Sequence, residues 1–234
     1  MRVGIIQSGY LPWRGYFDFI HGVDLFVIYD DVQFTRRDWR TRNRIKTPHG
    51  VQWLSVPVRY QPRGHRIDET EIDYQQDWRS DHRHRVSLHL RKAPFLDRAL
   101  SVLDAAFAVE HRTITELNVA LIRGVCAHLC IQTPIRLSSE LVATGAKTDR
   151  LLSLLAAVGG TTYVSGPTAK TYLDEEQFRR EGVRLEYKSY VYPPYPQLWG
   201  DFDGAVSIID LIANCGPRSR DYLTSLGENE LAVA

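Results

Sequence analysis

The order of apolar and polar positions predicts a strand, a helix and a second strand at the start of the chain. Residues 3–7 form an apolar run typical of a buried strand, which Gly9 and Pro12 end in a turn. Apolar residues at helical spacing follow over 14–23, and another apolar run covers 25–29. Because such a unit normally forms a right-handed crossover, we expect the two strands to be parallel.

The rest of the chain continues this alternation, with a helical stretch inserted in the middle. Strands are predicted over 51–58 and 162–165, with a polar loop over 59–77. Helices are predicted over 78–91, over 95–129 with a break near residue 110, over 148–158 and over 206–213. This pattern predicts an α/β fold, with a single domain over residues 1–234, a mostly parallel sheet, flanking helices and a helical insertion.

The carboxyl ends of the first two predicted strands carry candidate site residues. Ligands of open α/β sheets bind beyond these strand ends. Gln7 ends the first strand, where a polar amide must find a partner. Asp30 and Asp31 end the second strand. Tyr10 and Trp13, in the first loop, are either ligand contacts or core residues beneath the turn.

A run of cations follows the second strand. The six cations within eleven residues are Arg36, Arg37, Arg40, Arg42, Arg44 and Lys46. Clustered guanidinium groups beside two carboxylates are typical of a site that binds an anion near an acid or a base. A solvated loop has the same charge pattern, but Trp39, Asn43 and Ile45 interleave with the cations, which favours a site.

Composition and charge narrow the possible partners. The 234 residues are 44% hydrophobic and 24% charged, which is an ordinary globular composition. The net charge is only +1, and no recognised motif accompanies the cations, so we expect no nucleic-acid partner. We also expect a cytoplasmic protein without membrane association, because no apolar run approaches about 20 residues and no signal-peptide pattern begins the chain.

Familiar motifs of nucleotide, hydrolase and metal sites are absent from the sequence. It contains no phosphate loop, GxGxxG, GxSxG or HExxH motif. Cys126, Cys130 and Cys215 lack the spacing of a zinc site or disulfide framework, so buried thiols are expected. His82 and His84 would point to opposite sides of a helix, which disfavours a shared metal. We therefore predict no metal site and no bound cofactor.

The last third of the chain holds an aromatic cluster interrupted by prolines. Its members are Tyr187, Tyr190, Tyr192, Tyr195, Trp199 and Phe202, with Pro193, Pro194 and Pro196 among them. Proline-fixed backbone carrying tyrosines forms either a preorganised wall for a flat or sugar-like ligand, or an ordered loop pinned against the core. Both interpretations stay open.

Several blocks of sequence match one family. They are residues 7–17 (QSGYLPWRGYF), 30–34 (DDVQF), Trp39, 42–46 (RNRIK), 54–58 (LSVPV), 138–139, 147–148 with 150–151, 163–166 (YVSG), 172–173, 195–197 (YPQ) and 207–210. Together they resemble the WbqC-like protein family over nearly the whole chain. Ser8 and Thr41 depart from the proline and asparagine expected there, so the substrate can differ from the family's usual one.

The resemblance implies a function in polysaccharide assembly. The family occurs in bacterial polysaccharide and O-antigen gene clusters, with expected transfer of glycine or another aminoacyl group onto an amino sugar. We therefore expect an acyl or aminoacyl transferase of polysaccharide or secondary-metabolite biosynthesis. It would act on an amine, with an acyl or peptidyl carrier protein as a partner and a phosphopantetheine thioester as a donor.

Roles for particular residues follow from this expectation. The resemblance places a histidine where His82 stands, so His82 is the candidate base for deprotonating the amine, with Asp30 or Asp31 orienting it. Gln7 and Asn43 are candidate oxyanion donors. The remaining candidates for contact with substrate or its phosphates are Tyr10, Trp13, Arg42, Arg44, Lys46, Lys147, Tyr195 and Gln197.

Three alternatives remain at this level. The protein could bind a nucleotide sugar or carrier protein without catalysis, or it could be an ATP-dependent amide ligase with phosphates held after the first strand. A covalent role for Cys215, at the end of the last helix, is disfavoured because no basic partner stands near it in sequence. The sequence does not predict the oligomeric state.

Overall fold

The structure is a computed structural model that describes residues 1–59 and 64–234. Its strands are β1 (Arg2–Ile6), β2 (Leu25–Ile28), β3 (Arg42–Thr47), β4 (Gly50–Ser55), β5 (Ile135–Leu137), β6 (Thr162–Ser165), β7 (Arg184–Tyr187) and β8 (Glu230–Val233). Its helices are α1 (Arg14–His21), α2 (Trp78–His89), α3 (Leu96–Phe107), α4 (Ile114–His128), α5 (Lys147–Val158), α6 (Glu175–Arg180) and α7 (Ile208–Cys215).

The main sheet is mostly parallel, which confirms the predicted fold class. Its strand order is β5-β2-β1-β6-β7-β8, and only β8 runs antiparallel to its neighbour. The chain builds outward from β1 in both directions, first through β2 and β5, then through β6 and β7. The strand order therefore reverses between β1 and β6, which is the position where open α/β sheets bind ligands.

Residues of the central strands alternate between two apolar layers. Phe26 and Ile28 belong to the layer that contains α1 and the inserted helices, whereas Leu25 and Val27 belong to the layer of α5 and α6. Burial on both faces explains why these strands read as continuous apolar runs. Gly4 is required on the α1 side, because a Cβ there would lie 2.2 Å from a ring carbon of Phe19.

The cation run is part of a β-hairpin outside the main sheet. β3 pairs antiparallel with β4, and Arg44 lies opposite Trp53. The predicted strand over 51–58 is therefore present in shortened form, but β3 was not predicted. Along β3, the buried residues Asn43 and Ile45 alternate with the outward residues Arg42 and Arg44. Because so many residues of this segment are charged, the short period-two pattern does not stand out in the sequence.

The predicted helical insertion consists of α2, α3 and α4, between β4 and β5. The break predicted near residue 110 is confirmed, since α3 ends at Phe107 and a capping box of Thr113 and Glu116 starts α4. Of the predicted loop over 59–77, residues 60–63 lie outside the described part. The described remainder contains one short 3-10 helix, Ile67–Glu69.

Cysteines and histidines of the described chain are placed as follows. Cys126 and Cys215 are buried, but Cys130 is exposed, which corrects the expectation that all three are buried. Burial raises the pKa of the Cys215 thiol to about 11, so the thiol stays protonated near neutral pH. On α2, His82 is buried and His84 is exposed, as their spacing predicted. No helix in the described ranges is long and apolar enough to cross a membrane.

Candidate functional site

Two adjoining cavities open at the carboxyl edge of the sheet, where the strand order reverses. The larger cavity, about 1000 Å³, lies between the loops that follow β1 and β6 and the start of α5. The smaller cavity, about 410 Å³, lies between the β1 loop and the β3–β4 hairpin. Residues that line both are Ile6, Gln7, Trp13, Tyr16, Trp39 and Arg40. Because they share this wall, the two cavities form one cleft.

The loop after β1 is held rigidly at the centre of the cleft. Leu11 adopts a left-handed backbone with φ 45°, and the Asn43 side chain donates to its carbonyl oxygen over 2.8 Å. The Tyr16 hydroxyl donates to the backbone oxygen of Gln7 over 3.3 Å. Among the described residues, the side-chain amide of Gln7 has no hydrogen-bond partner and borders both cavities. Gln7 can therefore donate to, or accept from, a bound ligand.

Aromatic rings form one wall of the cleft. Trp13 packs edge-on against Tyr190 and Tyr192, with ring centroids 5.3 and 5.6 Å apart. Behind this wall the Tyr192 hydroxyl donates to the Asp18 carboxylate over 2.7 Å. The same carboxylate forms a buried ion pair with Lys188 at 2.7 Å. The tyrosine segment thus contributes a wall to the cleft and is also anchored to the core.

Positive charge lines the cleft from two sides. Arg40 and Arg44 border the smaller cavity, and Lys147 borders the larger one. Asp38 pairs with Arg40 at 2.7 Å, and Arg44 donates to the backbone oxygen of Ala205. The Lys147 ammonium group has no partner among the described residues. None of the described lining residues is an aspartate or a glutamate, so the cleft favours an anionic ligand.

Lys147 stands on a strained backbone at the first residue of α5. Its φ is 52°, in the left-handed region that a residue with a side chain adopts at a cost of about 1–3 kcal/mol. The preceding Ala146 provides no side-chain cap for the helix. The conformation places a free cation and uncapped backbone N–H groups together at the larger cavity, an arrangement that suits an anion.

Hydroxyl groups contribute to the polar surface of the larger cavity, beside Gln7, Arg40 and Lys147. Tyr29, Tyr163, Ser165 and Thr168 all border it, from the ends of β2 and β6 and the loop beyond β6. The Ser165 hydroxyl donates to the Tyr163 oxygen over 3.3 Å. Burial raises the pKa of both tyrosines, so they remain protonated donors at neutral pH. Neutral hydroxyls of this kind suit a sugar-like or polyol ligand.

His82 lies behind the cleft rather than in it. Its Nδ1 is 2.8 Å from the Tyr10 hydroxyl oxygen, and its ring also bonds to the Ser55 backbone. His82 is 2% exposed and Tyr10 is fully buried, and neither residue lines the two cavities. Burial lowers the pKa of His82 to about 4, so its ring is neutral and enclosed. The structure therefore gives the candidate base no path to a ligand in this cleft.

Asp30 and Asp31 are occupied by internal contacts. Asp30 is 1% exposed and accepts hydrogen bonds from Ser138 and Ser139. Asp31 accepts from Ser138 and forms an ion pair with Arg150. Neither carboxylate borders either of the two cavities of the cleft. These contacts join the end of β2 to the segment after β5, so both residues are positioned to hold the sheet edge.

Lys46, Tyr195 and Gln197 form a separate buried cluster. Lys46 donates to the Gln197 side chain over 2.9 Å, and both Gln197 and Tyr195 donate to Asp210 over 2.8 Å. Burial raises the pKa of Asp210 to about 6. Arg42 lies elsewhere, stacked over the ring of Trp53. None of these residues borders the cleft.

Five of the predicted site residues therefore line the cleft: Gln7, Trp13, Asn43, Arg44 and Lys147. The loop after β6, with Ser165 and Thr168, was not predicted as part of a site. The sequence did contain a signal for this loop: a strand was predicted over 162–165, and Gly166 and Pro167 follow its carboxyl end. The strand-end rule, applied there, would have found this half of the cleft.

Fold and cleft together define a doubly wound α/β protein with a candidate ligand cleft at its switch point. Within that class, the chain belongs to the WbqC-like protein family, whose pattern matches residues 7–222. It is similar to the uncharacterized protein Rv1507c of Mycobacterium tuberculosis, with 43% identity over 225 residues, covering 95% of this chain and 97% of that protein. No solved structure matches the chain. The family resemblance seen in the sequence is thus confirmed.

Proposed function

We propose that the protein is a cytoplasmic amide-forming transferase, which moves an acyl or aminoacyl group from a thioester to an amine within the cleft. The observation that carries the proposal is the meeting of two cavities at the free amide of Gln7. A reaction between two substrates needs two adjoining subsites with the reacting atoms at their junction. Polysaccharide or secondary-metabolite biosynthesis is the setting that the family resemblance implies.

The shapes of the two cavities suggest which substrate each would hold. The smaller cavity is lined by Pro12, Trp13 and Trp39 and has cations at its edge, which suits the acyl end of a donor. The larger cavity carries Ser165, Thr168 and Lys147, which suits a polar acceptor such as an amino sugar with a phosphate. The phosphate of a phosphopantetheine arm would pair with Arg44, since Arg40 is already paired with Asp38.

The chemical step needs no energy source beyond the thioester. The amine nitrogen attacks the thioester carbon, the C–N bond forms, and the C–S bond breaks. The proton lost by the amine ends on the departing thiolate, so the products are an amide and a free thiol. A donor from Gln7 to the developing oxyanion would stabilise the tetrahedral intermediate, because such donors act where charge appears in the transition state.

A second candidate function is ligand binding without catalysis. One observation favours it: among the described residues that line the cleft there is no histidine, aspartate, glutamate or cysteine. An acceptor amine would therefore have to reach the cleft unprotonated or lose its proton to solvent. In this alternative the protein presents a nucleotide sugar or carrier protein to a separate enzyme. An ATP-dependent ligase is the third possibility, since switch-point clefts commonly hold nucleotides.

The deciding experiment follows unloading of a carrier protein. A peptidyl carrier protein charged with glycine is incubated with amino sugars, with and without the protein, and intact mass reports loss of the glycyl group. Faster unloading with formation of a glycyl amide is expected, and Gln7→Ala should slow it by about 10²–10³ if Gln7 serves the oxyanion. Binding of an amino sugar without faster unloading would favour the second candidate. Release of AMP or ADP would favour the ligase.

A further inference from the structure

Two tryptophans are displayed to solvent, Trp53 on the outer face of the β3–β4 hairpin and Trp39 on the loop that precedes β3. Trp39 is 48% exposed and Trp53 is 38% exposed, with ring centroids 5.3 Å apart. The Arg42 guanidinium lies 4.2 Å from the centre of the Trp53 ring. Arg44 lies 5.8 Å from the Trp39 ring and 5.7 Å from the Trp53 ring. We call these four residues, Trp39, Arg42, Arg44 and Trp53, the aromatic–cation patch.

Folding of the hairpin does not require this exposure. The inner face of the hairpin buries Ile45 and Leu54, which are 0% and 1% exposed and secure it to the core. Outward tryptophans add apolar area that water covers, at an unfavourable free energy. Tryptophan and arginine are also the residue types most enriched among interface positions that dominate binding. The patch therefore has the composition of a docking surface.

The patch begins at the cleft and extends away from it. Trp39 and Arg44 border the smaller cavity, whereas Arg42 and Trp53 line neither cavity. A ligand that filled only the cleft would leave Trp53 exposed. Arg37, on the loop that leads to Trp39, is also exposed. Asp38 is neutralised by its ion pair with Arg40, so the charge of the surface beside the rim is positive.

We propose that the aromatic–cation patch docks the acidic surface of the carrier protein that delivers the thioester. This inference rests on the proposed function and names its macromolecular partner. Guanidinium groups would pair with carboxylates of a partner helix, while the two indole rings cover its apolar positions. A donor tethered to a flexible arm must be presented at the mouth of its cavity, and the patch occupies the rim of the smaller one.

The test measures docking and turnover separately. Binding of holo acyl and peptidyl carrier proteins, without an acyl group, is measured by interferometry at 50 and 200 mM salt. Trp53→Ala and Arg42→Glu are each expected to weaken binding at least tenfold. Arg123→Glu is the matched control, since Arg123 is exposed on α4 and lines neither cavity. It should change binding less than twofold, and added salt should weaken wild-type binding.

Turnover of two donors distinguishes failure of docking from failure of the proposed function. With a carrier-linked glycyl thioester, Trp53→Ala should raise KM at least tenfold with little change in kcat. With glycyl-pantetheine, which has no protein to dock, the same variant should match wild type. Carrier binding that is unaffected by both patch variants would overturn the docking proposal, as would equal losses with both donors. Carrier binding without turnover of either donor would leave docking in place and refute the transferase.

A single-stranded oligonucleotide is the alternative ligand that is tested for binding to the aromatic–cation patch. Exposed aromatic rings beside arginines also stack with bases, so an oligothymidylate of 20 nucleotides is tested on the same sensor. Weak oligonucleotide binding that Trp53→Ala leaves unchanged is expected. Tight oligonucleotide binding that is lost in Trp53→Ala, with no carrier binding, would refute the proposal. Thermal unfolding of each variant confirms that the hairpin remains folded.

Discussion

Asp18→Asn should destabilise the protein strongly although it preserves the shape of the side chain. The Asp18 carboxylate is 2% exposed, and its Oδ2 accepts from Lys188 over 2.7 Å, Tyr192 over 2.7 Å and Ser225 over 3.1 Å. Asparagine can still accept from the hydroxyl and the backbone N–H. It cannot neutralise the Lys188 ammonium group, whose side chain is only 9% exposed.

The expected loss is about 3–5 kcal/mol, the usual cost of leaving one member of a buried ion pair without its partner. This is a large part of the roughly 5–15 kcal/mol that stabilises a typical protein. Urea unfolding followed by tryptophan fluorescence measures the change. The matched control is Asp221→Asn, because Asp221 pairs with Arg218 at the surface, where side-chain exposures are 57% and 75%. That change should cost less than about 1 kcal/mol.

The double variant Asp18→Asn with Lys188→Met tests the reasoning itself. Removing both charges leaves no buried ion without a partner, so much of the stability lost in Asp18→Asn should return. A loss below about 1 kcal/mol in the single variant would show that the Lys188 ammonium group reaches water or another acceptor, and would refute the argument. An additive loss in the double variant would show that shape, rather than charge, holds this region together.

Three further predictions test the core, the cleft and the response to pH. Gly4→Ala should destabilise the protein by about 1–3 kcal/mol in urea unfolding, because the new Cβ would lie 2.2 Å from a ring carbon of Phe19. Adding Phe19→Leu to this variant should restore part of the lost stability. Lys147→Ala should weaken binding of a phosphorylated amino sugar, such as glucosamine 1-phosphate, at least fivefold by calorimetry without lowering the melting temperature. Equal affinity would show that the cation does not face the ligand. Burial lowers the pKa of His82 to about 4, so acidification from pH 7 to 5 protonates its ring in the unfolded protein and reduces stability. Burial raises the pKa of Asp210 to about 6, so the folded protein binds that proton first and gains stability. Between pH 7 and 5, the free energy of unfolding of Asp210→Asn should therefore fall by about 1 kcal/mol more than that of wild type. Equal pH profiles of the two proteins in urea titrations would contradict the raised pKa of Asp210.

The sequence predicted the centre of the sheet well and its periphery poorly. β1, α1 and β2 lie within two residues of their predicted bounds, because strands buried on both faces leave continuous apolar runs. β7 was missed since Arg184 and Glu186 interrupt its apolar positions, and β5 was missed since it has three residues. Such short or charged strands become regular through pairing with a neighbour. Local pattern carries little information about that pairing.

The rule that ligands bind at strand ends selected residues that the structure places differently. Gln7 and Trp13 line the cleft, whereas Asp30 and Asp31, which the same rule selected, border neither cavity. His82 was chosen from residue type and family position, which say nothing about depth. Helical periodicity can place His82 on the buried face of α2, but only the packing of Tyr10 against it decides that the ring is enclosed. Such contacts between distant segments are not visible in the sequence.

Hydrogen-bond satisfaction separates the polar residues of this protein into two groups with different roles. Asp18, Asp30 and His82 are each at most 2% exposed, and each is engaged by partners from distant segments. A buried group already satisfied in this way can exchange its partners for a ligand only at the cost of leaving them unpaired. Gln7 and Lys147 have no side-chain partner among the described residues, and both border the cleft. The first group is therefore suited to fixing the loops, whereas the second group, together with the hydroxyls of the larger cavity, is free to contact a ligand.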